Sequence, residues 1–225
     1  MGEVFGSLLP FIAGIALSPV PVIAVILTLF SERGKSASVG FLTGWMLGLA
    51  ALTTIVALLA GLIPTGGGGE PGVWVGWLKV LLGLALFWLA VRNWRSRPKP
   101  GEEAETPGWM KSVDTLGFGG ALRLGVLLSA VNPKVTVMCV TVGLGLGTAG
   151  LGVTALIVAV LVFVVLSSVT IGGPVIANLV AGERLHAPLT ALRDWIAREN
   201  HTIMAVLFTV LGLNAIGAGL GIIWP

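Results

Sequence analysis

The sequence has very little charge, and none of its acidic residues lies inside a long apolar stretch. Charged residues make up 10% of the 225 positions and hydrophobic residues 56%, with a mean hydropathy of +1.01. Soluble domains contain roughly 25% charged residues, so this composition excludes an ordinary soluble fold. The apolar residues form runs of about 20 or more, which is the length of a bilayer-spanning helix. The composition therefore predicts one integral membrane domain.

Cysteine and strong net charge are also nearly absent. Cys139 is the single cysteine, so the chain has neither an internal disulfide nor a pair of thiols that could relay electrons across a membrane. The pI of about 9.5 rests on a net charge of only +3, which is better explained by orientation signals near lipid than by nucleic-acid binding. Residues 1–3 carry no positive charge and the first apolar run continues to Phe30, so this run is not expected to be a cleavable signal peptide.

Six apolar runs are separated by clusters of charged and turn residues. They predict an all-α membrane protein with helices near 4–30, 37–63, 73–92, 120–146, 151–180 and 201–223. Lysine and arginine concentrate in the first, third and fifth connections, which the positive-inside rule places in the cytoplasm, with both termini extracytoplasmic. Residues 93–119 are predicted to be a flexible cytoplasmic loop. Residues 185–199 place their leucines on one face and are predicted to form a short amphipathic helix in the inner interface.

The two halves of the chain match when one is shifted by about 114 residues. The matching segments are Leu17–Pro21 with Val131–Val135, Thr53–Thr54 with Ser167–Ser168 and, once 185–199 is skipped, Leu82–Leu84 with Leu211–Leu213. An odd number of spans in each copy gives the copies opposite orientations, as in transporters whose site lies between inverted repeats. The sequence thus predicts two three-helix units, 1–92 and 120–225, joined by the loop 93–119.

Prolines interrupt the first helix of each unit. Pro19, Pro21 and Pro133 lack the amide hydrogen that a helix interior requires. The carbonyls expected to lose their partners are those of Ile15, Leu17 and Ser129. In hydrocarbon each loss costs several kcal/mol unless another group satisfies the carbonyl. A packing kink would explain one such break, whereas breaks at equivalent positions of both units favour a cavity between them.

Lys134 lies about midway along the fourth predicted span. A lysine at this depth costs roughly 2.5 to 3.5 kcal/mol on insertion scales, and no span contains a carboxylate that could pair with it. We expect it to meet water, freed carbonyls or an anionic group of a substrate, the alternative being a purely structural lysine held by carbonyls. The lack of carboxylates argues against a metal or sodium site. Lys79 is nearer the outer end of its span and is expected to extend toward the interface.

These residues define the predicted site. The substrate-binding residues are Lys134, Asn132, Pro133, Ser18, Pro19 and Pro21, together with the hydroxyl pairs Thr53, Thr54, Ser167 and Ser168. We expect no catalytic residue, no cofactor and no bound metal, because the spans contain no serine–histidine or paired-aspartate arrangement. The chain is therefore not expected to be an enzyme.

The motifs also resemble a known family. Leu17–Leu27, then Gly40–Trp45, and later Asn132-Pro133-Lys134 are similar to the GAP family of peptidoglycolipid addressing proteins, also called Sap or SfLAP proteins, within the LysE transporter superfamily. The resemblance covers essentially the whole chain. It implies a protein of the bacterial cytoplasmic (inner) membrane that assists the export of envelope glycolipids, or of a small polar solute as in the lysine exporters.

Taken together, the residues and the resemblance predict a secondary exporter of an envelope lipid or another anionic or polar amphiphile. The alternatives are an exporter of an amino-acid-like solute and a non-transporting scaffold that positions an enzyme of lipid synthesis. The expected partners are the lipid bilayer, the lipid or small anionic substrate, and either further copies of the chain or an envelope-lipid synthesis enzyme.

Overall fold

The computed structural model describes residues 2–62, 73–97, 113 and 115–224. These residues form α-helices joined by short turns, and no β-strand occurs among them. The helices are α1 (Gly2–Ala16), α2 (Pro19–Phe30), α3 (Gly34–Gly61), α4 (Val73–Arg95), α5 (Phe118–Ala130), α6 (Pro133–Thr148), α7 (Val153–Ser167), α8 (Val169–Ala181) and α9 (His186–Ile223), with a 3-10 turn at Gly182–Leu185.

The described helices give three to six candidate membrane spans. α3, α4 and α9 are each long and apolar enough to cross a bilayer alone. The pairs α1 with α2, α5 with α6 and α7 with α8 meet the same criterion together, with bends of 52°, 65° and 63°. Large apolar side chains such as Leu81, Trp88 and Leu161 are exposed on the outside, which suits lipid and not water. The predicted all-helical, multi-pass membrane protein is confirmed at this level.

Both predicted proline breaks are present. Pro19 begins α2 and Pro133 begins α6, because a proline in the first turn displaces no helical hydrogen bond and has the required backbone angle. A third break at Ser168, between α7 and α8, was not predicted. The predicted fifth span, 151–180, is therefore two helices at an angle and not one straight helix.

The predicted short helix at 185–199 differs from the structure. Residues 186–223 form one continuous helix of 38 residues, so no boundary separates an interfacial segment from the last span. At 1.5 Å per residue this helix is about 57 Å long, against about 30 Å for the hydrocarbon core. α9 therefore extends well beyond the membrane. The sequence suggested a break because polar residues 193–201 interrupt the apolar pattern without interrupting the helix.

The loop predicted at 93–119 is described only at its ends. α4 continues through it to Arg95, and α5 begins at Phe118. Residues 98–112 and 114 lie outside the described residues, as do residues 63–72.

Backbone contacts at glycines set how the long helices pack. A Cβ on Gly83 would lie 2.8 Å from the carbonyl oxygen of Gly212, and one on Gly212 would lie 2.9 Å from that of Gly83. Gly76 and Gly219 meet in the same way, so α4 and α9 are antiparallel and in backbone contact. Small residues at helix crossings allow this approach in membranes, where helices associate by packing and not by the hydrophobic effect.

A second glycine contact joins the two halves. On α3, a Cβ at Gly44 would lie 2.0 Å from the carbonyl oxygen of Leu122, and Gly40 meets Phe118 in the same way. Further along, Gly147 of α6 meets the carbonyl of Ala57. Residue numbers rise together on both sides, so α3 runs parallel to α5 and α6. α2 is the most completely buried helix and lies among α3, α8 and α9.

Candidate functional site

Lys134 is in the first turn of α6, and its side chain is buried with 6% of its surface exposed. Its Nζ lies 3.4 Å from the Sδ of Met204 and 5.8 Å from the centre of the Phe208 ring, both on α9. A thioether is a weak acceptor and an aromatic face attracts a cation, but neither carries a negative charge. The lysine therefore faces α9 and not the carbonyls that the structural alternative required.

No carboxylate neutralises Lys134 in the described part of the chain. The one ion pair found there joins Arg193 and Asp194 at 2.8 Å, on the part of α9 that precedes the last predicted span. An ammonium group has three N–H donors, and the thioether of Met204 takes one of them. The remaining donors can bind an anion without first breaking a protein ion pair. Charge and geometry thus make this position suited to a carboxylate, phosphate or sulfate group.

Asn132 supports Lys134 from the backbone. Its side-chain Oδ1 accepts a hydrogen bond from the Lys134 amide at 3.2 Å, which caps the N-terminus of α6. Asparagine is among the preferred residues at this position. The cap explains Asn132 without a substrate, so its predicted contact with a head group stays a prediction. Pro133 is exposed and occupies the first helical position.

Hydroxyl groups satisfy carbonyls at the first two breaks. At the α1–α2 break the amide of Ser18 donates to the carbonyl of Ile15 at 3.0 Å, which replaces the helical bond that Pro19 cannot donate. The hydroxyl of Thr170 on α8 donates to the carbonyl of Ala16 at 2.5 Å. At the α5–α6 break, Thr136 donates to the carbonyl of Ala130 at 3.0 Å.

The first break is closely packed. Ser18, Pro19 and Pro21 are all buried, and the Ser18 side chain makes no cap hydrogen bond. Because Thr170 follows the Ser167–Ser168 break by two residues, its bond to Ala16 ties the first break to the third. Two of the three bends therefore share a direct polar contact between the halves of the chain.

No hydrogen bond joins the predicted hydroxyl pairs within the described residues. Ser168 caps its own helix by donating to the carbonyl of Val164 at 2.7 Å, while the buried Ser167 hydroxyl has no partner among the described residues. Thr53 faces α6 beside the thiol of Cys139 and lacks a well-aligned hydrogen bond within the described residues. Thr54 is half-buried. Their contact with a substrate stays a prediction.

Sequence reasoning missed the residues that surround these groups. Met204 and Phe208 are apolar and gave no polar signal, although their spacing of four places them on one face of α9. Thr170 and Thr136 were also missed. A hydroxyl two or three residues beyond a break was the available signal for both.

Lys79 lines a cavity of about 100 Å³ formed by α1, α4, α6 and α9, together with Thr141 and Asn214. Its extension toward the interface stays a prediction. A larger groove of about 490 Å³ runs between α4 and α9, lined mainly by apolar residues, with Trp94 and Arg95 among its walls. The structure thus contains two basic positions, Lys134 and Lys79, on different walls of the helix bundle.

Comparison with known proteins identifies the family. No curated protein and no solved structure matches the chain significantly. The family model described as SfLAP, "Sap, sulfolipid-1-addressing protein", matches residues 8–221, which includes every described bend and both lysines. The chain therefore belongs to the SfLAP family.

Proposed function

We propose that this membrane protein moves an envelope lipid with an anionic head group across the bilayer, binding the head group at Lys134. The observation that carries the proposal is a buried ammonium without a carboxylate partner in the described structure, with Met204 and Phe208 of α9 near its Nζ. Charged residues within membrane helices are costly and typically belong to a substrate path. The family description names a sulfolipid, and a sulfate ester is an anion of the kind this site suits.

The helix contacts support an inverted repeat, which is part of this proposal. Gly83 and Gly212 are equivalent positions in the two halves of the sequence, and they contact each other where α4 crosses α9. Equivalent residues meet in this way when they lie on a two-fold axis. The same axis would exchange α3 with α7 and α8, and α1 and α2 with α5 and α6. As this exchange requires, α3 packs on α5 and α6, and α7 and α8 pack on α1 and α2. Such repeats allow alternating access around a fixed site.

The groove between α4 and α9 favours a lipid over a small solute. Its walls include Ala90, Val91, Val206 and Val210, with Arg95 at one end. Val91, Val206 and Val210 are exposed on the outer surface of the bundle, where acyl chains can reach them. Acyl chains of a lipid could therefore occupy this groove.

The proposal includes location and chemistry. The chain resides in the bacterial cytoplasmic membrane with both termini outside, it acts without catalysis or cofactor, and it works as a secondary transporter of the LysE type. The clustering of lysine and arginine in alternate connections supports this orientation.

Transbilayer movement in proteoliposomes tests the function directly. The full chain is reconstituted with a tail-labelled NBD sulfogalactosylceramide, and in parallel with the same lipid lacking the sulfate. Dithionite then reports the rate at which label reaches the outer leaflet. We expect faster movement of the sulfated lipid, and we expect Lys134→Ala to reduce it about tenfold or more, the loss of a charge-assisted hydrogen bond. Lys134→Arg retains the charge and should keep part of the rate.

A scaffold that positions a lipid-synthesis enzyme is the second candidate. It is favoured by the extension of α9 beyond the bilayer, where Leu192 and Trp195 are exposed. For this function, deletion of residues 98–112 should abolish lipid export in cells while Lys134→Ala has no effect. If the wild-type chain, at verified insertion, moves neither labelled lipid faster than protein-free vesicles do, the transporter is contradicted and the scaffold is left.

A further inference from the structure

The cavity at Lys79 has polar walls. They include Lys79 on α4, Asn214 on α9 and Thr141 on α6. No carboxylate whose side chain the structure describes pairs with Lys79. Thr141 donates its hydroxyl to the carbonyl of Val137 at 2.8 Å, whereas the Lys79 ammonium and the Asn214 amide are donors with no hydrogen-bond acceptor among the described residues. Two such donors in one cavity, one of them positively charged, suit an oxyanion.

The size of the cavity limits what can enter it. A volume of about 100 Å³ is about three times the share of one water molecule in the liquid. It suits one sulfate or phosphate group, whereas a whole glycolipid would need a pocket of several hundred Å³.

Lys134 and the Lys79 cavity lie along one seam between α6 and α9. Thr141 follows Lys134 by seven residues, so the two share a face about two turns, or roughly 10 Å, apart. Met204 and Phe208 face Lys134, and Asn214 faces Thr141 in the cavity. Residue numbers therefore rise together on α6 and α9, and the two basic sites are successive positions on one path.

A thin apolar layer separates the two sites. Met138 and Leu211 meet over Gly14 of α1, where a Cβ would lie 3.0 Å from the Met138 Cε and 2.7 Å from the Leu211 Cδ1. All three residues are buried. Methionine is unbranched and changes rotamer easily. Because Gly14 has no side chain, the ends of the Met138 and Leu211 side chains form the barrier between the two sites. The layer can open without moving a helix backbone.

We propose that the Lys79 cavity is a second oxyanion subsite, which takes the sulfate or phosphate group after it passes Lys134 through the Met138–Leu211 layer. This inference rests on the proposed function, because it assigns the next position on the same path. Lys134 and Lys79 then hold the anion in turn, so neither position binds it so tightly that release stops transport.

The kinetic test compares matched lysine variants in the proteoliposome assay with sulfated and unsulfated NBD lipids. Lys79→Gln should reduce movement of the sulfated lipid about tenfold, the loss of one charge-assisted hydrogen bond, with little change for the unsulfated lipid. Lys79→Arg should retain much of the rate. Lys35→Gln removes an exposed lysine at the start of α3 and should leave the rate unchanged.

A binding test reports occupation of the cavity itself. In a Cys139→Ala background, Ala218→Cys places the only thiol in the cavity wall and keeps both Lys79 and Asn214, and a membrane-impermeant maleimide can label it. Vesicles containing sulfogalactosylceramide should slow labelling several-fold relative to vesicles with galactosylceramide, and a parallel arm adds free sulfate to the latter. Leu213→Cys, at an exposed position outside the cavity lining, is the control whose labelling the lipids should affect equally.

The outcomes separate the inference from the proposed function. Protection by the sulfated lipid alone supports a head-group subsite, and protection by free sulfate as well supports an oxyanion subsite open to both sources. If wild-type protein moves the sulfated lipid selectively, but Lys79→Gln is fully active and neither anion protects Ala218→Cys, the second subsite is overturned while the proposed function stands. If wild-type protein shows no selectivity, the proposed function fails first.

Discussion

Replacement of Lys134 by methionine should stabilise the protein while it abolishes transport. A lysine near the middle of a span costs about 2.5 to 3.5 kcal/mol. Phe208 returns little of this, since its ring centre is 5.8 Å from Nζ, near the limit at which a cation–π contact contributes about 0.5 kcal/mol. Methionine fills a similar volume and packs well against Met204 and Phe208. The expected gain in the free energy of unfolding is therefore about 2 to 3 kcal/mol.

Cys139 provides the assay for this prediction. It is the only cysteine in the sequence and is buried, so a thiol-reactive fluorophore reports unfolding during a thermal ramp in one detergent. At about 2 to 4 °C per kcal/mol for a chain of this size, the melting temperature should rise by about 4 to 12 °C. Lys35→Met, at an exposed position, is the control and should change stability by less than about 0.5 kcal/mol.

The result that would refute this reasoning is a Lys134→Met protein that melts at or below the temperature of the wild type. The protein itself would then satisfy the ammonium, and Lys134 would be a structural residue. A stabilised variant that still moves sulfated lipid would refute the functional role instead. Stability gained at a site where activity is lost is the expected signature of a functional residue that is held at an energetic cost.

Three further changes test the packing around the site. Thr170→Val removes the hydroxyl bond to the buried Ala16 carbonyl and should lower stability by about 1 to 3 kcal/mol in the same thermal ramp. Gly44→Ala places a methyl 2.0 Å from the backbone oxygen of Leu122, so α3 and α5 must separate. We expect a loss of about 1 to 3 kcal/mol or more and less monodisperse protein on size-exclusion chromatography. Met138→Ala thins the apolar layer and should raise efflux of free sulfate from loaded proteoliposomes.

Each of these variants has a matched control. The control for Thr170→Val is Thr209→Val, which loses a hydroxyl that bonds only within its own helix. The control for Gly44→Ala is Gly217→Ala, which adds a methyl that meets nothing within 4 Å. The control for Met138→Ala is Met46→Ala, which shortens a methionine on α3. A test variant that behaves like its control would contradict the feature it tests. These features are the hydrogen bond between the first and third breaks, the close contact of α3 with α5, and the apolar layer at Met138.

Local chemistry made much of the fold predictable. The apolar runs predicted the membrane helices, and Pro19 and Pro133 predicted two of the three bends, because a proline cannot donate the helical hydrogen bond at its own position. The third bend, at Ser168, has no proline at the break. It was missed because a hydroxyl that bonds its own helix carries no distinct sequence signal.

The relation between distant residues was less accessible. Lys134 was recognisable as unpaired because no span contains a carboxylate, a property of the sequence alone. Its neighbours Met204 and Phe208 were not, since an apolar residue on a membrane helix faces lipid or protein with equal ease in sequence. The place of Lys79 in a cavity wall was not predictable for the same reason: depth can be read from sequence, but the direction of the side chain cannot.

The sequence by itself determined the membrane class, the positions of the proline breaks and the presence of a buried cation without a partner, since each follows from composition or from a bond that a residue cannot make. Only the tertiary structure decided which helices touch. It brought Thr170 to the carbonyl of Ala16, placed Met138 and Leu211 over Gly14, and put Lys79 in the wall of a cavity. These contacts depend on close backbone approach at glycines on distant helices, and that approach is a property of the whole packed bundle.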